Sequence, residues 1–129
     1  MNGNLVYWKC KKQNSVTKNS TFAEYVAMSE AITEILFIKN LVNESFDMKI
    51  NKPIKVYEDN SGAMAIAKYG NLTKNSKHIE IQYHYINENR ERKNIEILKI
   101  ESENNVAYIL TKSLERIRFV KLRAKLNLL

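Results

Sequence analysis

The chain has 129 residues, 44% of them hydrophobic, which suits one globular domain over 1–129 and excludes both wholesale disorder and two full-sized domains. Its net charge is +7, from 21 Lys and Arg against 14 Asp and Glu, a balance that admits a polyanionic partner or simply lysine-rich solvated faces. No run of about 18 apolar residues is present to cross a membrane, and "MNGNLVYWKCKKQ" lacks the pattern of a secretory leader. Cys10 has no cysteine to pair with, and with only His78 and His84 beside it there is no zinc-ligand set. An intracellular setting, cytoplasmic or nuclear, is expected.

Alternation over Leu5–Cys10 predicts a strand with Trp8 in the core, followed by a polar turn through Ser15. "NSTFAEYVAMSEAITEILFIKNLVNES" predicts the longest helix: Tyr25, Met28, Ile32, Ile35 and Leu36 recur at helical spacing with no Gly or Pro among them. Thr21 is the expected N-cap, with Glu24 three residues on completing a capping box. Pro53 punctuates the chain. Ile54–Tyr57 then reads as a short strand running into two acids, Glu58 and Asp59, and Ser61–Tyr69 as a short helix closed by Gly70. "KHIEIQYHYINENRERK" is ambiguous, because positions 79, 81, 83 and 85 alternate as in a strand while Ile79, Tyr83 and Ile86 share a helix face. A strand over 95–100 comes next, then a turn and short helix in "NNVAYILTKSL". A basic tail helix with Phe119, Leu122, Leu126 and Leu129 on one face completes an α/β pattern.

In α/β sheets reactive groups gather at the carboxyl ends of strands, and Asp59 sits just past one. Glu24 near a helix start, Asp59, and the region 104–112 are the places where separated carboxylates would converge. Such a set is what a magnesium-dependent phosphodiesterase needs, because two ions about 3.5–4 Å apart clamp the attacking water and the leaving oxygen. Magnesium is a hard ion that takes oxygen ligands and keeps several waters, so a few acids suffice. The plainer reading makes Glu24 and Asp59 helix-capping acids. It likewise makes Lys74, Lys77, Arg116, Arg118, Lys121, Arg123 and Lys125 solvated rather than phosphate-binding.

In order, "NSVTKNSTFAEYVAMSEAITEILFIKNLV", "PIKVYEDNSGAMAIAKYG", "SKHIEIQYHYI" and "VAYILTKSLERIRFVKLRAKL" resemble the ribonuclease H domain of copia-type retrotransposon polyproteins, from about Val6 to Leu128. The resemblance implies an α/β, RNase H-like three-layer fold and magnesium-dependent hydrolysis of the RNA strand of RNA–DNA hybrids. It matches Glu24 to the helix acid of the family's "AEY" and Asp59 to the strand-end aspartate of "DN", both catalytic metal ligands. His78, Tyr83 and His84 match a "KHI...YH" helix, which favours the helical reading of the ambiguous stretch. Glu58, a common neighbour in these elements, is expected to face away, and Phe22 stands where the family often has glutamate. Lys74, Lys77, His78, Arg116 and Lys121 are the expected nucleic-acid contacts.

Two departures qualify the resemblance. The chain starts at the family's third strand, so the fold is expected to be partial, with the first two strands and the first catalytic aspartate missing. Tyr108 stands where the family has an aspartate, and a phenol, protonated at neutral pH, does not replace a carboxylate on magnesium. The expectation is a catalytically inactive remnant with magnesium binding weak or lost and affinity for nucleic acid retained. Two alternatives stay open: an active ribonuclease H completed by an upstream segment, and an interaction module whose unpaired sheet edge binds a partner or a second copy. Marginal stability of the isolated chain is also expected.

Overall fold

The structure is a computed structural model and describes residues 3–10, 19–70 and 74–127, apart from the side chains of 74–76. Contacts group the chain into two units, Thr17–Lys99, and Met1–Val16 with Ile100–Leu129. Together they are mixed α/β and mostly helical.

The first unit begins with Asn19, whose extended backbone (φ −130°, ψ 124°) lets its side chain accept the N–H of Thr21 at 2.9 Å and open helix α1, Ser20–Ser45. The cap therefore belongs to Asn19 and not to Thr21. Phe22, rather than Glu24, takes the third helical position, so no capping box forms. Asparagine caps at least as well as threonine and lies two residues earlier, which decides the competition. Along α1, Tyr25, Met28 and Ile32 are buried as the helical period requires, and Ile35 and Leu36 pack against them half-buried.

Strand β1, Ile54–Glu58, pairs in parallel with β2, Ile95–Lys99, in the register Ile54↔Ile95 to Glu58↔Lys99. The crossover runs through α2, Ser61–Tyr69, a 3-10 helix, Lys74–Ile79, and α3, Glu80–Glu91. The ambiguous stretch is thus helical. Ile79 and Ile86 are buried, whereas Ile81, which strand alternation would have turned inward beside Ile79, is 82% exposed. Val56, Ala63, Ile66, Ala67, Ile79, Ile86 and Ile95 close one core with the buried face of α1.

Gly70 ends α2 as the sequence predicts, at φ 66°, and a Cβ there would also run into the Tyr83 hydroxyl. Arg90 donates to the freed carbonyl of Ala67 in the last turn of the same helix. The turn from α3 into β2 is held by buried Asn89, whose Nδ2 donates to the Tyr85 carbonyl at 2.9 Å and whose Oδ1 accepts from Asn94 Nδ2 at 3.0 Å.

In the second unit, residues 4–10 form no strand. They are tied down by Leu5 N–H donating to the Leu126 carbonyl at 3.4 Å, while Asn127 Nδ2 donates to the Gly3 carbonyl at 3.0 Å. Alternation alone does not make a strand, and no described strand offers 4–10 a ladder. Trp8 accordingly is 62% exposed rather than in the core. Beyond a 3-10 turn, Ser102–Asn104, lie α4, Tyr108–Thr111, and α5, Arg116–Lys125. Leu122 and Leu126 are buried as predicted, while Phe119 is exposed and Leu129 lies outside the described residues. Among the described residues no helix is long and apolar enough to cross a membrane.

Candidate functional site

The carboxyl end of β1 gathers most of the predicted chemistry of the first unit. Counting by twos from buried Val56 places Glu58 on the same inward side of the strand, and its side chain is buried, 6% exposed. The expectation that Glu58 faces away is overturned by this alternation. Burial pushes its carboxyl above the usual carboxylate range. The negative charges of Glu24 and Asp59 push the same way, and the backbone N–H groups of Asn60 and Asp59 partly offset them. Asn60 N–H donates to Glu58 Oε1 at 2.8 Å. Glu24 and Asp59, the two residues matched to catalytic acids, are therefore both within electrostatic reach of one buried carboxyl.

What brings Glu24 there is a close approach of two helix starts. Asn60 caps α2, its Oδ1 accepting from Ala63 N–H at 2.9 Å, so the capping role falls to Asn60 and not to Asp59. The same oxygen accepts from the Thr21 hydroxyl at 3.4 Å, which links the first turns of α1 and α2. Gly62 makes room for this contact, since a Cβ there would stand 2.7 Å from both Thr21 Cγ2 and Oγ1. Gly62→Ala is accordingly expected to destabilise the chain by about 1 kcal/mol through overpacking, with most of the loss recovered in a Thr21→Ala background. Denaturant titration of both singles and the double checks it, and simple additivity would contradict the packing account.

Lys99 is the member of this site that sequence reading missed. It pairs with Glu58 across the β1–β2 register, and its Nζ donates to the Asp59 carbonyl and to Ser61 Oγ at 3.1 Å. No local pattern marks it; only the pairing of strands forty residues apart does. An ammonium group thus lies where a cation would meet the Asp59 carbonyl.

Among the described residues no group of three or more His, Cys, Asp and Glu side chains is placed to hold a metal ion. A two-magnesium centre needs several ionised carboxylates converging on the ions. The innermost acid of this site is biased toward its neutral form, and Lys99 already takes the adjacent carbonyl. The residues present in this unit do not by themselves fit such a centre.

Of the predicted nucleic-acid contacts, Lys77 and His78 are exposed, and the His78 ring meets Phe22 edge-on, centroids 5.1 Å apart, beside the first turn of α1. His84 approaches Glu80 at 3.8 Å and the Tyr83 ring at 5.4 Å. Lys74 opens the 3-10 helix, its side chain lying outside what is described. Tyr108, Arg116 and Lys121 belong to the other unit. There, Lys112 Nζ and the Arg118 guanidinium stand 5.1 and 4.8 Å from the centre of the Tyr108 ring, while Arg118 also donates to the Ser102 carbonyl at 2.8 Å. Arg116 and Lys121 are exposed on α5.

No protein-family model and no solved structure matches the chain. Curated relatives do. The retrovirus-related Pol polyprotein from transposon TNT 1-94 of Nicotiana tabacum is 32% identical over 117 residues, which is 91% of this chain and 9% of the polyprotein. Those from transposons RE1 and RE2 of Arabidopsis thaliana are 29% and 28% identical over 98% and 99% of the chain, again 9% of each polyprotein. The chain therefore spans about a tenth of the length of the relatives it matches. Over nearly its whole length it is similar to one short segment of the retrovirus-related Pol polyproteins of copia-type transposons.

Proposed function

We propose that this chain is the part of an RNase H-like domain that carries Glu24 and Asp59, and that by itself it holds nucleic acid without cleaving it. The observation that carries the reading is that buried Glu58, at the carboxyl end of a parallel strand, feels the negative charges of both Glu24 and Asp59. That is where α/β folds place their reactive groups. The relationship to Pol polyproteins along nearly the whole chain supports it. Loss of cleavage follows from the ligand count: Tyr108 offers a phenol where the resemblance calls for a carboxylate, and Glu58 does not readily supply a charge in its place.

The test is incubation of the chain with a labelled RNA–DNA hybrid in magnesium or manganese, beside Asp59→Asn and Tyr108→Asp variants. The expected outcome is retention of the hybrid with no cleavage by the unmodified chain. Cleavage that disappears in the Asp59→Asn variant would instead establish a working ribonuclease H.

A second reading, an interaction module, is favoured by one feature of the sheet. β1 is hydrogen-bonded to β2 on one side and to no other described strand, and Tyr57 on its outer face is 55% exposed. Such an edge accepts an added strand, from a partner or from a second copy of the chain.

A further inference from the structure

The net charge of the protein is not shared evenly between its two units. Among the described residues of Thr17–Lys99, eleven lysines and arginines face eleven acids, for a net charge of zero. In the other unit seven cations (Lys9, Lys112, Arg116, Arg118, Lys121, Arg123 and Lys125) face three acids, Glu101, Glu103 and Glu115, for a net +4 over fewer than half as many residues. A lysine-rich composition spread indifferently over solvated faces would not divide in this way. Five of the seven cations lie within the ten residues of α5.

We infer that α5 and its surroundings, and not the carboxylate-bearing unit, provide the affinity for nucleic acid, by contacting the phosphate backbone without regard to sequence. The inference rests on the nucleic-acid part of the reading above and locates it. α5 turns Leu122 inward and leaves Arg116, Lys121 and Arg123 exposed. Arg118 is anchored between the Ser102 carbonyl and the Tyr108 ring, and Lys125 donates to Asn104 Oδ1 at 3.0 Å, so these two cations are held in place rather than trailing in solvent. Arginine's planar fork of donors suits phosphate oxygens, and three of the five cations of α5 are arginine. An anionic membrane surface is the competing polyanion. It is disfavoured because an interfacial helix keeps its cations to one side of a broad apolar face. In α5 Leu122 is buried, the large exposed apolar side chains are only Ile117, Phe119 and Val120, and the cations at 116, 118, 121, 123 and 125 fall on two opposite sides of the helix rather than on one.

The experiment uses the full chain and two variants that each remove three positive charges. One carries Arg116→Gln, Lys121→Gln and Arg123→Gln; the other carries Lys49→Gln, Lys52→Gln and Lys55→Gln, exposed lysines of the first unit. Binding of a labelled RNA–DNA hybrid, and separately of phosphatidylserine vesicles, is followed across a salt series, with far-UV circular dichroism confirming that each variant stays helical. The α5 variant is expected to bind the hybrid at least tenfold more weakly, with a log–log salt slope shallower by about 2 to 3. The other variant is expected to stay within about twofold of the parent. Equal losses in the two variants would mean bulk attraction and overturn the inference, as would undiminished binding by the α5 variant or binding to vesicles alone. Cleavage is read in a different assay, so a failure of the inactive ribonuclease H reading leaves this outcome unaffected.

Discussion

Ile32→Ala will lower the stability of the protein by about 3 to 4 kcal/mol, the middle of the range for truncating a buried aliphatic side chain. Ile32 is 0% exposed and lies in the core formed by α1, α2, α3 and both strands. Removing three carbons there forfeits the transfer energy of the side chain and leaves a cavity whose walls, built from regular elements on several sides, have little freedom to collapse. Small domains have only about 5 to 15 kcal/mol in total, so the variant loses a large fraction of its stability, and Ile32→Val is expected to cost about 1. Five residues along the same helix, Phe37 is 65% exposed, and Phe37→Ala is expected to change stability by no more than about 0.5 kcal/mol. Urea titration monitored by far-UV circular dichroism distinguishes the two: the midpoint should fall sharply for Ile32→Ala with little change in slope, and hardly move for Phe37→Ala. Similar losses at both positions would mean that α1 does not bury the face described here.

The same helix shows what the sequence discloses and where it stops. Tyr25, Met28 and Ile32 were legible because a helical period is a local signal, and every hydrogen bond that fixes it lies within the helix. Gly70 was legible for a similar reason: a left-handed terminus is a property of one residue. Trp8 was misread because the alternation of Leu5–Cys10 states only what a strand would look like, while a strand forms only where another strand pairs with it. Lys99 became visible only through a register joining residues forty positions apart. Glu58 is a different kind of miss. Its inward direction was written in the alternation of Ile54, Val56 and Glu58, and the expectation borrowed from related elements overrode that period. The basic tail helix was legible as a continuous stretch, whereas its contrast with a neutral first unit emerged only from the grouping of the chain into two units.

Glu58→Gln is expected to stabilise the protein at neutral and alkaline pH, and the pH dependence is what ties that effect to the buried carboxyl. Burial raises the carboxyl above its unfolded range, and Glu24 and Asp59 add to the rise. Between the ordinary glutamate range and the higher folded one, the native state holds a proton that the unfolded state has released. In that window stability falls as pH rises. The advantage of the protonated form is fully present below the unfolded pKa and is lost once pH has passed the folded pKa. Glutamine keeps an oxygen to accept from Asn60 N–H and carries no charge to desolvate. Its melting temperature should therefore exceed that of the parent by about 2 to 5 °C at pH 8 and converge with it toward pH 4. Asp59→Asn removes one of the two neighbouring charges and should give a smaller gain of the same sign. A pH-independent difference between the parent and Glu58→Gln would show that the gain comes from packing or the unfolded state. An unaltered melting curve at every pH would mean that Glu58 reaches water in solution, and that the acids at the end of β1 do not share a desolvated site.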